Sequence, residues 1–139
     1  MPERIPENLR RLVAARASHR CEYCRSPKAF ATGPFEVEHI VPLAKGGSND
    51  FDNLAYSCDG CNGHKNARTA AKDLLTGVEV PLFHPRLDSW DEHFSWYKNN
   101  VHIAGKTPVG RVTVHLLRMN REELVNLRTL LALAGLHPF

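Results

Sequence analysis

Hydrophobic positions along this chain keep no single spacing, and the changes of spacing divide it into elements. Between Pro6 and Ala17, the residues Leu9, Leu12, Val13 and Ala17 fall on one helical face, and Pro6 suits a first turn, so a short helix over 6–17 is expected. Phe35-Glu36-Val37-Glu38-His39-Ile40-Val41 alternates instead and is rich in β-branched residues, which predicts a strand ended by Pro42. Asp52 to Ser57 reads as a second strand or extended segment. Residues 27–34 and 44–50 are dense in turn formers and predict loops. From Asn62 to about Leu74 only Gly63 opposes a helix, while Ala67, Ala70 and Ala71 favour one.

Beyond Gly77 the pattern turns aromatic and then leucine-rich. Trp90, Phe94 and Trp96, followed by Val101-His102-Ile103, predict a hairpin packed on the core. Thr107-Pro108 has the form of a cap plus first-turn proline and opens a helix to about Met119. Asn120 and Glu123 have capping-box spacing, and a last helix should carry Leu124, Leu127, Leu131 and Ala134 on one face before stopping at Gly135. The expected class is α+β. A length of 139 residues suits a single domain, with a core at 18–75 and an extension at 76–139. The extension either packs on the core or supports dimerisation. Packing is the default, and the choice between monomer and homodimer stays open.

Composition narrows the setting. A hydrophobic share of 42% and a charged share of 24% are those of a globular protein. No apolar run reaches the length of a membrane span, and the first residues lack the apolar stretch of a signal peptide, so a cytoplasmic protein with no membrane partner is expected. A net charge of +3 permits a nucleic-acid partner without demanding one. The basic residues cluster, however. Arg4, Arg10, Arg11, Arg16, Arg20 and Arg25 lie early, while Lys65, Arg68 and Lys72 recur at i, i+3 and i+7. On the expected helix those three share a face, which is either a solvated surface or a row that tracks a phosphate backbone.

The cysteines say more. Cys21-Glu22-Tyr23-Cys24 and Cys58-Asp59-Gly60-Cys61 are two CxxC pairs with 33 residues between them, and the chain has four cysteines in all. In a reducing compartment such pairs suit one tetrahedral Zn²⁺ rather than disulfides. Four thiolates leave no open position, so the ion would be structural, and its binding would contribute on the order of 10 kcal/mol to folding. The competing readings are a pair of redox motifs, which lack their usual βαβ setting here, or four buried thiols. Glu38-His39 lies inside the clamp. An acid–imidazole dyad held there suggests a metal nuclease, because phosphodiester hydrolysis needs a proton acceptor near neutral pH and a cation on the phosphoryl oxygens. Adjacent strand residues point to opposite faces, so the strand must end or bulge at the dyad.

From Cys21 to Lys65 the residues resemble the HNH endonucleases of the ββα-metal class with a four-cysteine zinc ribbon. The matching positions are the two CxxC pairs, Glu38-His39-Ile40-Val41-Pro42-Leu43, Gly46-Gly47, Asn49, Asn53-Leu54, Asn62 and Lys65. Leu82 to Arg86, Trp90, His93-Phe94 and Thr107-Pro108-x-Gly110-Arg111 resemble the tail that follows this core in some bacterial members. The resemblance implies a ββα core flanked by the first helix and by the later hairpin and helices. It implies that Glu38 and Asn62 hold one catalytic divalent cation, Mg²⁺ or Mn²⁺ or another. It gives His39 the part of general base, and Asn53 the part of bracing the loop and holding the His39 ring. Asn62 stands where the last histidine of the family pattern would be, an HNN variant, and His64 is the rival ligand. The activity implied is cleavage of DNA to 5′-phosphate and 3′-hydroxyl ends. A zinc-ribbon module that only binds nucleic acid, and a nuclease of this fold directed at RNA, are the alternatives. His93, among aromatic residues, is a further candidate for the cleft.

Overall fold

A computed structural model describes residues 5–138, so Arg4 of the basic cluster lies outside the described residues. The first helix, α1 (Glu7–Arg16), follows Pro6, whose φ of −60° suits a helix start. It ends where Ser18 and His19 take positive φ. Val13 packs on Leu54 and Tyr56 of the first sheet, and Leu9 lies at the margin of that cluster. Leu12, expected on the same face, is instead 57% exposed.

The sheet joins β1 (Phe35–His39) to β2 (Leu54–Cys58) in antiparallel register, with Glu38 opposite Ala55 and His39 opposite Leu54. Every residue of β2 is buried. The helix α2 (Asp59–Lys65) follows without a linker, capped by Cys58, whose Sγ accepts from the Cys61 N–H at 3.4 Å. The order β1–β2–α2 is therefore built around the second cysteine pair.

The helix expected from 62 to 74 stops at Lys65. Asn66, at φ +51°, turns the chain, and the alanine-rich stretch becomes β3 (Ala70–Lys72), paired with β4 (Glu79–Pro81). The local preference of alanine for helix is weak, and a cross-strand partner overrides it. Asp73 secures the connecting turn by accepting from Thr76 Oγ1 and the Leu75 N–H, and the Arg111 guanidinium reaches both its oxygens at 3.2 and 2.9 Å.

Trp90, expected in the hairpin, instead opens a short helix, α3 (Trp90–His93). The hairpin β5 (Phe94–Tyr97) with β6 (His102–Gly105) follows as expected, then α4 (Pro108–Leu116), shorter than the helix expected to Met119, and α5 (Glu122–Leu133). Thr107 caps α4 through Gly110 N–H at 3.0 Å. Gly110 admits no side chain, because a Cβ there would lie 2.0 Å from the His93 carbonyl oxygen. The cap of α5 falls one residue later than expected, on Arg121. Asn120 is diverted to β6, where its amide pairs with both backbone groups of Ile103 at 2.7 and 2.8 Å. Leu124 and Leu131 are buried as expected, and Arg128 is buried beside them, whereas Ala134 is exposed.

The main hydrophobic cluster joins the two halves of the chain. Phe83, Trp90, Phe94, Ile103, Leu117, Met119 and Leu124 pack with the four cysteines and Tyr23. Trp90 Nε1 donates to the Tyr23 carbonyl at 2.8 Å, and Arg86 pairs with Glu22 between the cysteines of the first knuckle. The extension thus roofs the cysteine cluster. Among the described residues no helix is long and apolar enough to cross a membrane.

Candidate active site

The four cysteine sulfurs lie within 4.8 Å of one another, and no disulfide joins them. A tetrahedral ion with Zn–S bonds near 2.3 Å separates its sulfurs by about 3.8 Å. Cys24 Sγ and Cys58 Sγ are 3.7 Å apart, so the donor set and its spacing fit zinc. Each knuckle is shaped by its own backbone: the Cys24 N–H points to Cys21 Sγ, as that of Cys61 does to Cys58 Sγ. Hydrogen bonds from the neighbouring thiols hold the Cys58 thiol far below its ordinary pKa, whereas burial pushes Cys21 well up. Cys24 is also lowered, chiefly by its hydrogen bond with Cys21, while Cys61 is raised, so a cation is what would let all four give up their protons.

The dyad occupies the last two positions of β1, which ends at His39 as the opposed faces require. Glu38, His39 and Asn62 line one open cleft of about 320 Å³ together with Glu36, Pro42, Leu43 and Asn66. His64, the rival to Asn62, is not among its lining residues. The turn carrying the cleft wall is clamped by Asn53, which accepts from Val41 N–H at 2.9 Å and donates to the carbonyls of Val41 and Ser48. Gly47 makes this possible: a Cβ there would lie 1.8 Å from the Val41 oxygen. Gly46 before it has open space and a φ of +90°, so of the two glycines the second is the one that close packing requires.

Asn53 braces the loop but does not hold the imidazole. His39 Nε2 lies 2.6 Å from Asn49 Oδ1 instead. With that nitrogen donating to Asn49, Nδ1 is left as the ring's proton acceptor.

Glu38 is 7% exposed and fully engaged. One oxygen accepts from the Tyr23 hydroxyl, and the other lies 3.2 Å from Lys65 Nζ, which also donates to the Ile40 carbonyl. Burial pushes the Glu38 carboxyl above its ordinary pKa, and the Lys65 ammonium and Tyr23 hydroxyl oppose that push. The sequence signalled neither partner, since Tyr23 hides between zinc ligands and Lys65 looks like one more surface cation.

Lys65 must accordingly be removed from the expected basic face, being 1% exposed and paired with Glu38. Arg68 sits in the exposed turn and Lys72 on β3, so the three share no helical face. Two of the early arginines are engaged in packing: Arg16 donates to the Phe51 and Leu54 carbonyls, and Arg25 lies over the Trp90 ring, whereas Arg11 stays exposed beside Glu7. His93 packs against Phe83 and lies 2.6 Å from Thr107 Oγ1, away from the cleft lining.

Comparison with known proteins finds likeness in part of the chain. Residues 21–68 match the family model described as HNH endonuclease. The chain is also similar to the Septu protein PtuB of Bacillus thuringiensis, 28% identical over 107 residues, which cover 76% of this chain and 38% of that protein. The chain thus matches less than half of that relative's length. No solved structure matches the chain. The stretch from Cys21 to Arg68, holding both cysteine pairs, the β1–β2 hairpin and α2, is recognised as an HNH endonuclease segment.

Proposed function

We propose that this protein is a metal-dependent DNA endonuclease of the HNN type, acting in the cytoplasm, where reduced thiols can take zinc. One observation carries the reading: Glu38, His39 and Asn62 line a single cleft beside four sulfurs spaced for zinc. Glu38 and Asn62 offer a carboxylate and an amide oxygen, a hard donor set of the kind Mg²⁺ or Mn²⁺ accepts. When bound, that ion supplies charge neutralisation at the phosphoryl oxygens. His39 takes the proton of the attacking water at Nδ1, while Asn49 holds the ring through its other nitrogen. Asn53 keeps the wall of the cleft in place. Phosphate contacts outside the cleft fall to Arg68 and Lys72, which are exposed. The segments 18–75 and 76–139 work as one unit, in which the extension secures the cysteine cluster.

A second reading has its own support. Both Glu38 oxygens are already occupied by Tyr23 and Lys65, which suits a module that binds nucleic acid without cutting it. Supercoiled plasmid separates the two. Nicked or linear product with Mg²⁺ or Mn²⁺, abolished by chelator and absent with His39→Ala, is expected for the enzyme. A retarded plasmid left intact under every divalent metal would establish the binder.

A further inference from the structure

The cysteine cluster is not closed by cysteines alone. Arg121, at the start of α5 and 60 residues beyond Cys61, reaches over the second knuckle. Its Nη2 donates to Cys58 Sγ at 3.4 Å and its Nη1 to Cys61 Sγ at 3.7 Å. The remaining donors pin the guanidinium: Nη1 also reaches the Leu117 and Arg118 carbonyls at 3.1 Å, and Nε pairs with Glu123. The side chain is 11% exposed, so its charge has been drawn out of water toward the sulfurs. Room for it comes from Gly60, the spacer of the second CxxC pair. A Cβ at Gly60 would stand 2.4 Å from Nη2 of Arg121. Gly60 lies inside α2 with no positive φ, so its backbone does not require glycine, but the guanidinium does. Arg128, seven residues further along α5 and so on the same face, donates to the Cys24 carbonyl on the other knuckle.

We infer that Arg121 is a positioning residue of the metal centre, donating to two ligand sulfurs through the gap left by Gly60, so that docking of the extension and zinc affinity are coupled. The chemistry favours this. Zinc with four thiolates carries a net double negative charge in a dry setting, and donors to the sulfurs offset it. A hydrogen bond to a thiolate also lowers the energy of the sulfur lone pair, which sets where the sulfur-to-metal absorption falls when Co²⁺ replaces zinc.

The test uses the full chain and no cleavage assay. Zinc affinity is measured by competition with a chromophoric chelator, and the Co²⁺-loaded protein is examined in the near ultraviolet. Arg121→Gln and Gly60→Ala should each weaken zinc by about 10- to 100-fold, the range for groups that orient metal ligands. Both should move the sulfur-to-cobalt band to lower energy. Arg118→Gln, which removes the same charge from an exposed position, should change neither reading. Gly60→Ala is the decisive variant, because alanine is the better helix former and any loss comes from displacing the guanidinium. An unshifted band and zinc affinity within twofold of the parent in Gly60→Ala overturn the proposal, whatever becomes of Arg121→Gln.

Discussion

Two sites lie side by side in this chain and are built on opposite plans. The cysteine cluster is dry, all sulfur, and drawn from both ends of a 33-residue segment. Its ligands touch one another, and backbone N–H groups and the roofing extension point at them. The cleft is open and lined by oxygen and imidazole, and its central carboxylate is tied to a lysine and a tyrosine rather than left free. The first arrangement suits an ion that stays. Under the proposed function the second suits a hard ion that comes and goes, because the Glu38 carboxylate has resting partners in Lys65 and Tyr23. One fold can hold both because β2, paired along the β1 strand that lines the cleft, itself ends at Cys58.

The comparison breaks most visibly at the sulfurs. Cys58→Ser should leave the core unable to hold its ion and cost on the order of 10 kcal/mol of folding free energy, seen as loss of a cooperative thermal transition and of bound zinc. A metal-free variant that melts like the parent would remove the scaffold role. At the cleft the same severity should appear in rate alone. His39→Ala should lower plasmid cleavage by ~10²–10⁴-fold while zinc content and melting temperature stay put. An active His39→Ala protein would exclude it as the base.

Lys65 sharpens the contrast, since it belongs to the cleft chemically and to the core by burial. Lys65→Met leaves the Glu38 carboxylate buried without its cation and should cost about 3–5 kcal/mol in a urea melt. Adding Glu38→Gln should restore much of that loss. If the double variant is no more stable than Lys65→Met, the pair is not what Lys65 supports. The smallest effect is expected far from both sites. The Arg111 fork pulls Asp73 down to about 2, so its contribution is present above the unfolded value near 3.8 and is lost as pH falls through about 2. Asp73→Asn should therefore melt below the parent at pH 7, and the two curves should converge toward pH 2. A gap that persists unchanged in acid would contradict the ion pair.

What was legible in the sequence was local. The two knuckles, the strand ending at its dyad, and the Thr107-Pro108 cap are each written within a few residues, by spacing or by turn chemistry. What was missed depends on partners distant in the chain. The run around Ala70 looks helical until Glu79–Pro81 supplies a strand for it. Asn120 resembles a cap until β6 offers a whole backbone amide pair. Lys65 resembles a surface cation because nothing nearby shows that Glu38, on β1, lies beneath it. Asn49 sits in a turn that any polar residue could fill, yet it takes the His39 contact expected of Asn53.

The claim that two different ions serve two different sites is tested most directly by counting metal and cleavage in the same sample. After brief chelation the chain should retain one zinc, keep its fold and cut nothing, and Mg²⁺ or Mn²⁺ should restore cutting without changing the zinc count. Cleavage that persists in protein holding zinc alone, or that returns only when zinc is added, would contradict the account.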